Sequence, residues 1–343
     1  MKKRNLTFKQ KLKNVLIFAI VLFLSLELLS WLLIRCGNYS DVLGNHNSWG
    51  IYAEKENTID VAAFGSSNYY SGIQPFKMWE EHGITSYVCA EPSQRIYEME
   101  NNIKKVYRHQ SPKVVVLEPN VIFKDKKNLT AMNYKLKSYA GRFIPLLTYH
   151  SKWKMLSPLR WGQWTTDMTC PSHGYAARFG KKAYKGKDWM GPSDEKEETS
   201  SLAVEELRKC IRFCKEKGSQ VLLLPVPGPK EWNMKRYNLI RQIAEEEGAQ
   251  LLDLNQKMDE MKLDWSKDTV DAGYHLNYWG AAKVTDYLGN FLTKNYQLED
   301  HRNDPAYSQY QKEYDKYKEA LQGKLDAIKK EADKKKKAQN NAA

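Results

Sequence analysis

Residues 59–68 read Ile-Asp-Val-Ala-Ala-Phe-Gly-Ser-Ser-Asn, and the fold is decided here. Ile59–Phe64 is a short apolar run that suits a buried strand, and Gly65 ends it by letting the chain turn sharply. A serine just after such a turn sits at the first turn of a helix, where backbone N–H groups point outward. A hydroxyl there can attack a carbonyl while its own N–H steadies the resulting oxyanion. Alone, Gly65-Ser66-Ser67 is more often an ordinary loop than a nucleophile turn.

The same rhythm continues outward from this stretch. Strands are expected at Ser86–Ala90, Val114–Leu117, Gln220–Pro225 and Leu251–Leu254. Helices are expected at Pro75–His82, Ser93–His109, Ser201–Lys217, Tyr237–Glu247 and Asn277–Leu292. Short strands alternating with helices indicate an α/β fold with a parallel sheet covered on both faces. In such sheets, ligands collect beyond the carboxyl ends of the strands. The first strand delivers its serines to that edge.

At the other end of the chain, Asp271-Ala272-Gly273-Tyr274-His275-Leu276-Asn277 precedes the last of these helices. A carboxylate and an imidazole on one loop can orient each other, the acid fixing the tautomer that lets the imidazole act as base. Asn277 is also a good helix N-cap.

Together the two blocks, FGSSNYYSGIQP and DAGYHLNYWGAAKVTDYLG, resemble those of the SGNH (GDSL-like) hydrolase and acyltransferase superfamily. The resemblance spans roughly residues 58–294, although the motifs cover fewer than forty. It implies a flavodoxin-like three-layer fold, with Ser67 as nucleophile, His275 as base and Asp271 as its partner. It also implies oxyanion donors after the second and third strands. Two departures stand out. The usual Asp-x-x-His spacing is here Asp-x-x-x-His, which leaves Asp268 as the fallback acid. After strand three the chain has Glu118-Pro119-Asn120 in place of Gly-x-Asn, and no glycine follows strand two. Asn120 and Gln94, with the backbone at Gly65, are therefore the expected oxyanion and binding groups. Losing one oxyanion donor typically costs about 100- to 1000-fold in turnover.

Val15–Ile34 is twenty residues with Glu27 as the only charge, long enough to cross a hydrocarbon core of roughly 30 Å at about 1.5 Å per residue. Six basic residues precede it within 1–14, so the N-terminus is expected in the cytoplasm and the body outside it. A cleaved signal peptide competes with the anchor. Its apolar core would be shorter, and no small-x-small site follows. The expected organisation is a cytoplasmic basic segment (1–14), a transmembrane anchor (15–34), an SGNH-like domain (37–300) interrupted by an insertion (124–192), and a charged helical tail (301–343).

The net charge of +13 belongs to the ends. Residues 1–14 contribute +6 and residues 301–343 contribute +4, which leaves about +3 for everything between, too little for a nucleic-acid groove. Of five cysteines, Cys210 and Cys214 are four apart on an expected helix. With no second pair at zinc spacing they read as buried free thiols, and no metal or cofactor is expected. The insertion is rich in aromatic and basic residues, among them Tyr134, Tyr139, Phe143, Tyr149, Trp153, Trp161, Trp164 and Trp189. It reads either as a lid with aromatic platforms for sugar rings and cations for an anionic polymer, or as the core of a subdomain with its bases solvated. In the tail, Tyr307, Tyr310, Tyr314, Tyr317, Leu321, Leu325 and Ile328 form a narrow seam at three- and four-residue steps, fit to pair with another chain or to lie on the body.

These readings converge on a cell-envelope serine esterase or O-acyltransferase acting on ester-linked acetyl or D-alanyl groups. Its expected partners are the membrane, an envelope polysaccharide or teichoic-acid-like polymer and, for transfer, a membrane acyl-donor protein. The resemblance extends to membrane-anchored relatives such as the teichoic-acid D-alanylation protein DltD and exopolysaccharide O-acetylation proteins. A non-catalytic glycan-binding scaffold is the rival reading, favoured by the missing glycine. A lipase draws only on the membrane tether.

Overall fold

The computed structural model describes residues 7–35, 42–44, 46–144, 146, 169–186 and 188–340. Cys36 and the insertion aromatics Tyr149, Trp153, Trp161 and Trp164 lie outside these residues. The chain divides into two compact units, Met1–Asn38 with Met132–Thr166, and Tyr39–Ala131 with Asp167–Ala343.

In the first unit, α1 (Phe8–Arg35) is the one described helix long and apolar enough to cross a membrane. Its apolar side chains face outward, with Phe18 68% and Leu24 60% exposed. Ser30 is the buried exception: its hydroxyl donates to the Leu26 carbonyl (2.7 Å) and accepts from the Leu146 N–H (2.8 Å).

The second unit is built on a five-stranded, wholly parallel sheet. Its strands are β1 (Val61–Gly65), β2 (Ser86–Ala90), β3 (Val114–Leu117), β4 (Gln220–Leu223) and β5 (Gln250–Leu251), in the order β2-β1-β3-β4-β5. This is the flavodoxin-like order, and its switch point lies between β1 and β3. Every residue of β1, β2 and β3 is buried, as expected of a sheet covered on both faces. The helices are α2 (Ser67–Gly72), α3 (Pro75–His82), α4 (Ile96–Val106), α5 (Asn128–Phe143, which from Met132 on belongs to the first unit), α6 (Ser201–Glu216), α7 (Met234–Glu247), α8 (Met258–Met261), α9 (Tyr278–Asn295) and α10 (Ser308–Asn340). α9 packs on α2 and α3, whereas α4 packs on α6 and α6 on α7, giving the expected three layers. The fifth strand is shorter than its apolar run. The Asp253 carboxylate accepts the Asn255 N–H (3.0 Å) and starts a helical turn there.

Two segments cover the sheet beyond the regular alternation. An irregular strap, residues 170–186, runs along the β2 edge, where the Val88 N–H donates to the His173 carbonyl (2.9 Å). The tail helix α10 buries Tyr310, Tyr314 and Tyr317 against Phe76 and Trp79 of α3, with Phe76–Tyr317 ring centroids 5.0 Å apart and Trp79–Tyr310 centroids 4.7 Å apart. The Tyr310 hydroxyl reaches the backbone of Ser86 in β2. The tyrosine part of the tail's seam, Tyr310 to Tyr317, therefore lies on the body. Cys89, Cys170, Cys210 and Cys214 are buried free thiols.

Candidate active site

β1 runs straight into the turn that carries the candidate nucleophile. A Cβ on Gly65 would stand 2.5 Å from the Glu118 Oε2 and 2.7 Å from the Tyr69 Cγ, so only glycine lets β3 and α2 come this close. Glu118, at the end of β3, is 1% exposed. Its carboxylate accepts the Ser66 N–H, the Ser66 hydroxyl (3.1 Å) and the Asn68 amide (3.2 Å). Asn68 also donates to Glu231 (2.6 Å). Burial pushes the Glu118 carboxyl up. Ser66 and Asn68 are buried and tied down, while Ser67 between them is partly open. That contrast distinguishes the two adjacent serines, of which the family resemblance implies Ser67 as the nucleophile.

Ser67 meets the loop before α9. Its Oγ lies 2.8 Å from the His275 Nε2, and the His275 Nδ1 lies 2.5 Å from the Asp271 Oδ2. The other Asp271 oxygen accepts the backbone N–H groups of His275 (2.8 Å) and Tyr274 (3.2 Å). The extra residue between acid and base is absorbed by left-handed backbone at Ala272 (φ 61°) and Gly273 (φ 98°). The loop is closed by Val270 N–H to the His275 carbonyl (3.1 Å) and Gly273 N–H to the Thr269 hydroxyl (2.9 Å). With Nδ1–H donated to a carboxylate, the Nε2 lone pair faces the Ser67 hydroxyl, which is the tautomer a general base needs.

Asp268 does not share this role. It is 3% exposed, and its carboxylate is taken by Lys283 (2.6 Å) and the Asp264 N–H (2.7 Å). Asn277 caps α9 by accepting the Gly280 N–H (3.1 Å), so its role is structural.

The expected oxyanion groups divide. Asn120 Oδ1 accepts from the Arg236 Nη1 (2.8 Å), which turns its Nδ2 away as a donor with no hydrogen-bond partner among the described residues. The Ser67 N–H, at the start of α2, is likewise unengaged among them. Gln94 must be corrected. It is 0% exposed, and with its amide oriented to suit its neighbours it donates to the Gly65 carbonyl and accepts from Asn102 (2.7 Å). It is a tie behind β1 and presents nothing to a ligand.

Several residues at the site escaped the sequence reading. Glu118 was visible as the departure from glycine, but its contact with Ser66 was not. Tyr70 lies against the Ser67 hydroxyl and receives a hydrogen bond from the Arg178 Nη2 (3.2 Å). Glu231 and Arg236 lie far along the chain in a stretch without a motif. Only the fold brings these groups together.

No family model and no curated protein matches the sequence. Solved structures do resemble the fold. A lipase/acylhydrolase from Enterococcus faecalis aligns over 70% of this chain and 98% of its own, at 10% identity and a TM-score of 0.37. A GDSL-like lipase from Bacteroides thetaiotaomicron aligns over 68% and 87%, at 10% identity and a TM-score of 0.35. A Streptococcus pneumonia protein, provisionally described as a platelet activating factor, aligns over 78% and 98%, at 11% identity and a TM-score of 0.41. At these values the likeness is one of fold, and the chemistry must stand on the residues themselves. The fold and site together define a flavodoxin-like α/β protein with a hydrogen-bonded Ser–His–Asp relay at the carboxyl edge of its sheet.

Proposed function

We propose that this protein is a membrane-anchored serine esterase or O-acyltransferase that works through an acyl-serine intermediate outside the cytoplasm. One observation carries the reading: the unbroken relay from Ser67 Oγ through His275 to Asp271, at 2.8 and 2.5 Å. In the reaction, His275 Nε2 takes the Ser67 proton as Oγ attacks the acyl carbonyl. The Ser67 N–H and the Asn120 Nδ2 hold the oxyanion, and Asp271 stabilises the imidazolium. His275 then gives the proton to the leaving alcohol and later activates the acceptor, which is water in hydrolysis or a glycan hydroxyl in transfer.

The anchor and the six basic residues ahead of it support a body on the outer side of the membrane. Acetyl or D-alanyl esters of an envelope polysaccharide or teichoic-acid-like polymer are the proposed substrates, as in the O-acetylation and D-alanylation relatives. For transfer, a membrane-bound acyl-donor protein is the proposed partner.

The test is covalent labelling of the full chain in detergent with a fluorophosphonate, the site then mapped by peptide mass spectrometry. Labelling at Ser67 that is lost in His275→Ala is expected. A folded protein that takes up no label would overturn the enzyme reading in favour of a glycan-binding scaffold.

A further inference from the structure

The loop that carries Asp271 and His275 is flanked on both sides by basic side chains. On one side runs the strap, whose backbone is tied to the loop: the Lys182 N–H donates to the Thr269 carbonyl (3.1 Å), the Ala272 N–H to the Lys182 carbonyl (2.9 Å), and the Tyr278 N–H to the Arg178 carbonyl (2.7 Å). These bonds lay the strap's backbone, which carries Arg178, Lys181, Lys182 and Lys185, alongside the loop. On the other side stands Lys230. Its neighbour Pro229 and the strap's Tyr184 both press on Gly273, where a Cβ would meet them at 2.9 and 2.8 Å.

None of these five cations pairs with a carboxylate among the described residues. Basic residues elsewhere on this unit commonly do, as in Arg208 with Glu247, Lys283 with Asp268 and Lys77 with Asp286. Three of the five are held over aromatic rings instead. Arg178 lies 5.4 Å from the Tyr70 ring centroid, Lys230 4.2 Å from that of Tyr274, and Lys181 4.2 Å from that of Trp279. Two of these rings belong to the site's own neighbours, since Tyr70 lies against Ser67 and Tyr274 precedes His275. A ring positions a cation without neutralising it, which leaves the charge available to a ligand. The acids nearest the relay are held by other groups, Glu91 among them by the Ser48 hydroxyl. Asp271 is engaged by His275, Glu231 by Asn68, and Glu118 is buried beneath Ser66.

We infer that the substrate carries an anionic group, a phosphate or a carboxylate, close to the ester, and that Arg178 and Lys230 recognise it from the two sides of the relay. This rests on the esterase reading and narrows its substrate class. Arg178 supplies the planar fork that matches either oxyanion, and Lys230 supplies a point charge. The acyl group then lies over Ser67 while the anionic remainder lies along the strap.

The test uses the full chain in detergent and three small acetyl esters: glycerol monoacetate (neutral), acetyl glycerol 3-phosphate, and O-acetyl galacturonate. One charge-assisted contact is worth about tenfold or more. At least one anionic ester is therefore expected to exceed the neutral ester by about tenfold in kcat/KM, mainly through KM. The better of the two identifies the anion. The advantage should shrink as salt is raised from 0.05 to 0.5 M, and the anionic-to-neutral ratio should fall toward one in Arg178→Gln and Lys230→Gln. Equal kcat/KM for all three esters, or a ratio untouched by both substitutions, would overturn the inference while leaving the esterase standing. Should Ser67 take up fluorophosphonate but no ester turn over, the readout becomes protection of labelling. Protection by glycerol 3-phosphate or galacturonate over glycerol supports the anion site, and equal protection overturns it. Absence of both labelling and turnover removes the esterase reading and this inference with it.

Discussion

Asp271→Asn is the sharpest test of the relay, because the structure says what the amide must do. Asp271 has two jobs: Oδ1 accepts the N–H groups of Tyr274 and His275, and Oδ2 accepts His275 Nδ1–H. An asparagine has one acceptor. If its oxygen keeps the loop's N–H groups, its NH2 faces Nδ1, and the imidazole must place its proton on Nε2. That nitrogen can then no longer take the proton of Ser67. If its oxygen keeps Nδ1–H instead, the NH2 opposes two backbone N–H groups and the loop is disturbed. The analogous substitution in serine hydrolases costs about 10⁴-fold, or about 5 kcal/mol at 1.36 kcal/mol per decade. The second-order rate of fluorophosphonate labelling should accordingly fall about 10³- to 10⁴-fold, with the melting temperature moved by only a few degrees. Asp268→Asn is the matched control. It loses the bond to Lys283 at a buried carboxylate, so it should cost about 1–2 kcal/mol of stability, with labelling reduced less than tenfold. Near wild-type labelling in Asp271→Asn, or a collapse confined to Asp268→Asn, would refute the assignment of the acid.

Gly65→Ala forces a methyl against Glu118 and Tyr69, at distances where something must shift. It should cost about 1–3 kcal/mol by overpacking and slow Ser67 labelling as well, read by thermal melting and labelling on one sample. Tyr310→Ala removes the tail's most buried ring and its bonds to Ser86. A loss of about 3–5 kcal/mol in the stability of the body is expected, and none would mean that the tail does not dock in solution. Docking should also depend on pH. His173, fully buried, bonds Glu313 of α10 (2.8 Å) and faces Glu54 (3.5 Å). Burial pushes Glu54 up to about 7, so its contribution fades as pH rises from 4.5 toward 7. Burial pulls His173 down, but the charge of Glu54 and the bond to Glu313 outweigh it, so its raised pKa makes its contribution fade on the same alkaline side. Glu313 is held low against its burial by His173, so its contribution fades only in acid. Amide exchange at 310–317 should therefore be slower at pH 6 than expected from a pH 8.5 measurement corrected for intrinsic rates.

The sheet was legible because its central strands β1 and β3 are short, wholly apolar runs and β2 and β4 are mostly apolar, as strands buried on both faces must be. Ser86–Ala90 and Val114–Leu117 fall where the pattern puts them. The serine turn and the Asp–His loop were legible as local chemistry. Contacts between residues far apart could not be read from the pattern itself, and the Ser67–His275 pairing was implied only by the family resemblance. The resemblance implies Asp271 with Asp268 as the fallback, and the left-handed pair Ala272–Gly273 shows how Asp271 curls back onto the imidazole despite the extra residue. Gln94 occupies the right stretch, but its amide turns inward to a carbonyl of β1. The strap has no periodicity, because it pairs by backbone with an edge strand and a loop, and backbone bonds leave little trace in side-chain patterns.

The glycine missing after β3 illustrates how such a departure can be compensated. An oxyanion pocket built on glycine N–H groups needs the backbone itself to approach the reacting carbonyl. Here the glycine is replaced by Glu118, which points under the turn and binds Ser66 through both its N–H and its hydroxyl. A buried carboxylate left without such partners would be expensive, so the contact holds as firmly as its removal would cost. With Ser66 and Asn68 tied from below, Ser67 alone at the turn stays open toward His275. Arg236 orients Asn120 from the side, leaving its amide N–H groups without a partner among the described residues. In the proposed reaction the pocket therefore has two donors in place of three, together with a more rigid nucleophile. Glu118→Ala should then lower stability and labelling together, because it frees Ser66 and Asn68. Glu118→Gln keeps one acceptor but adds a donor facing the Ser66 N–H, and should fall between wild type and alanine in both measurements. A glutamine variant worse than alanine in labelling, with equal stability, would show that the charge of Glu118, and not its hydrogen bonds, serves Ser67.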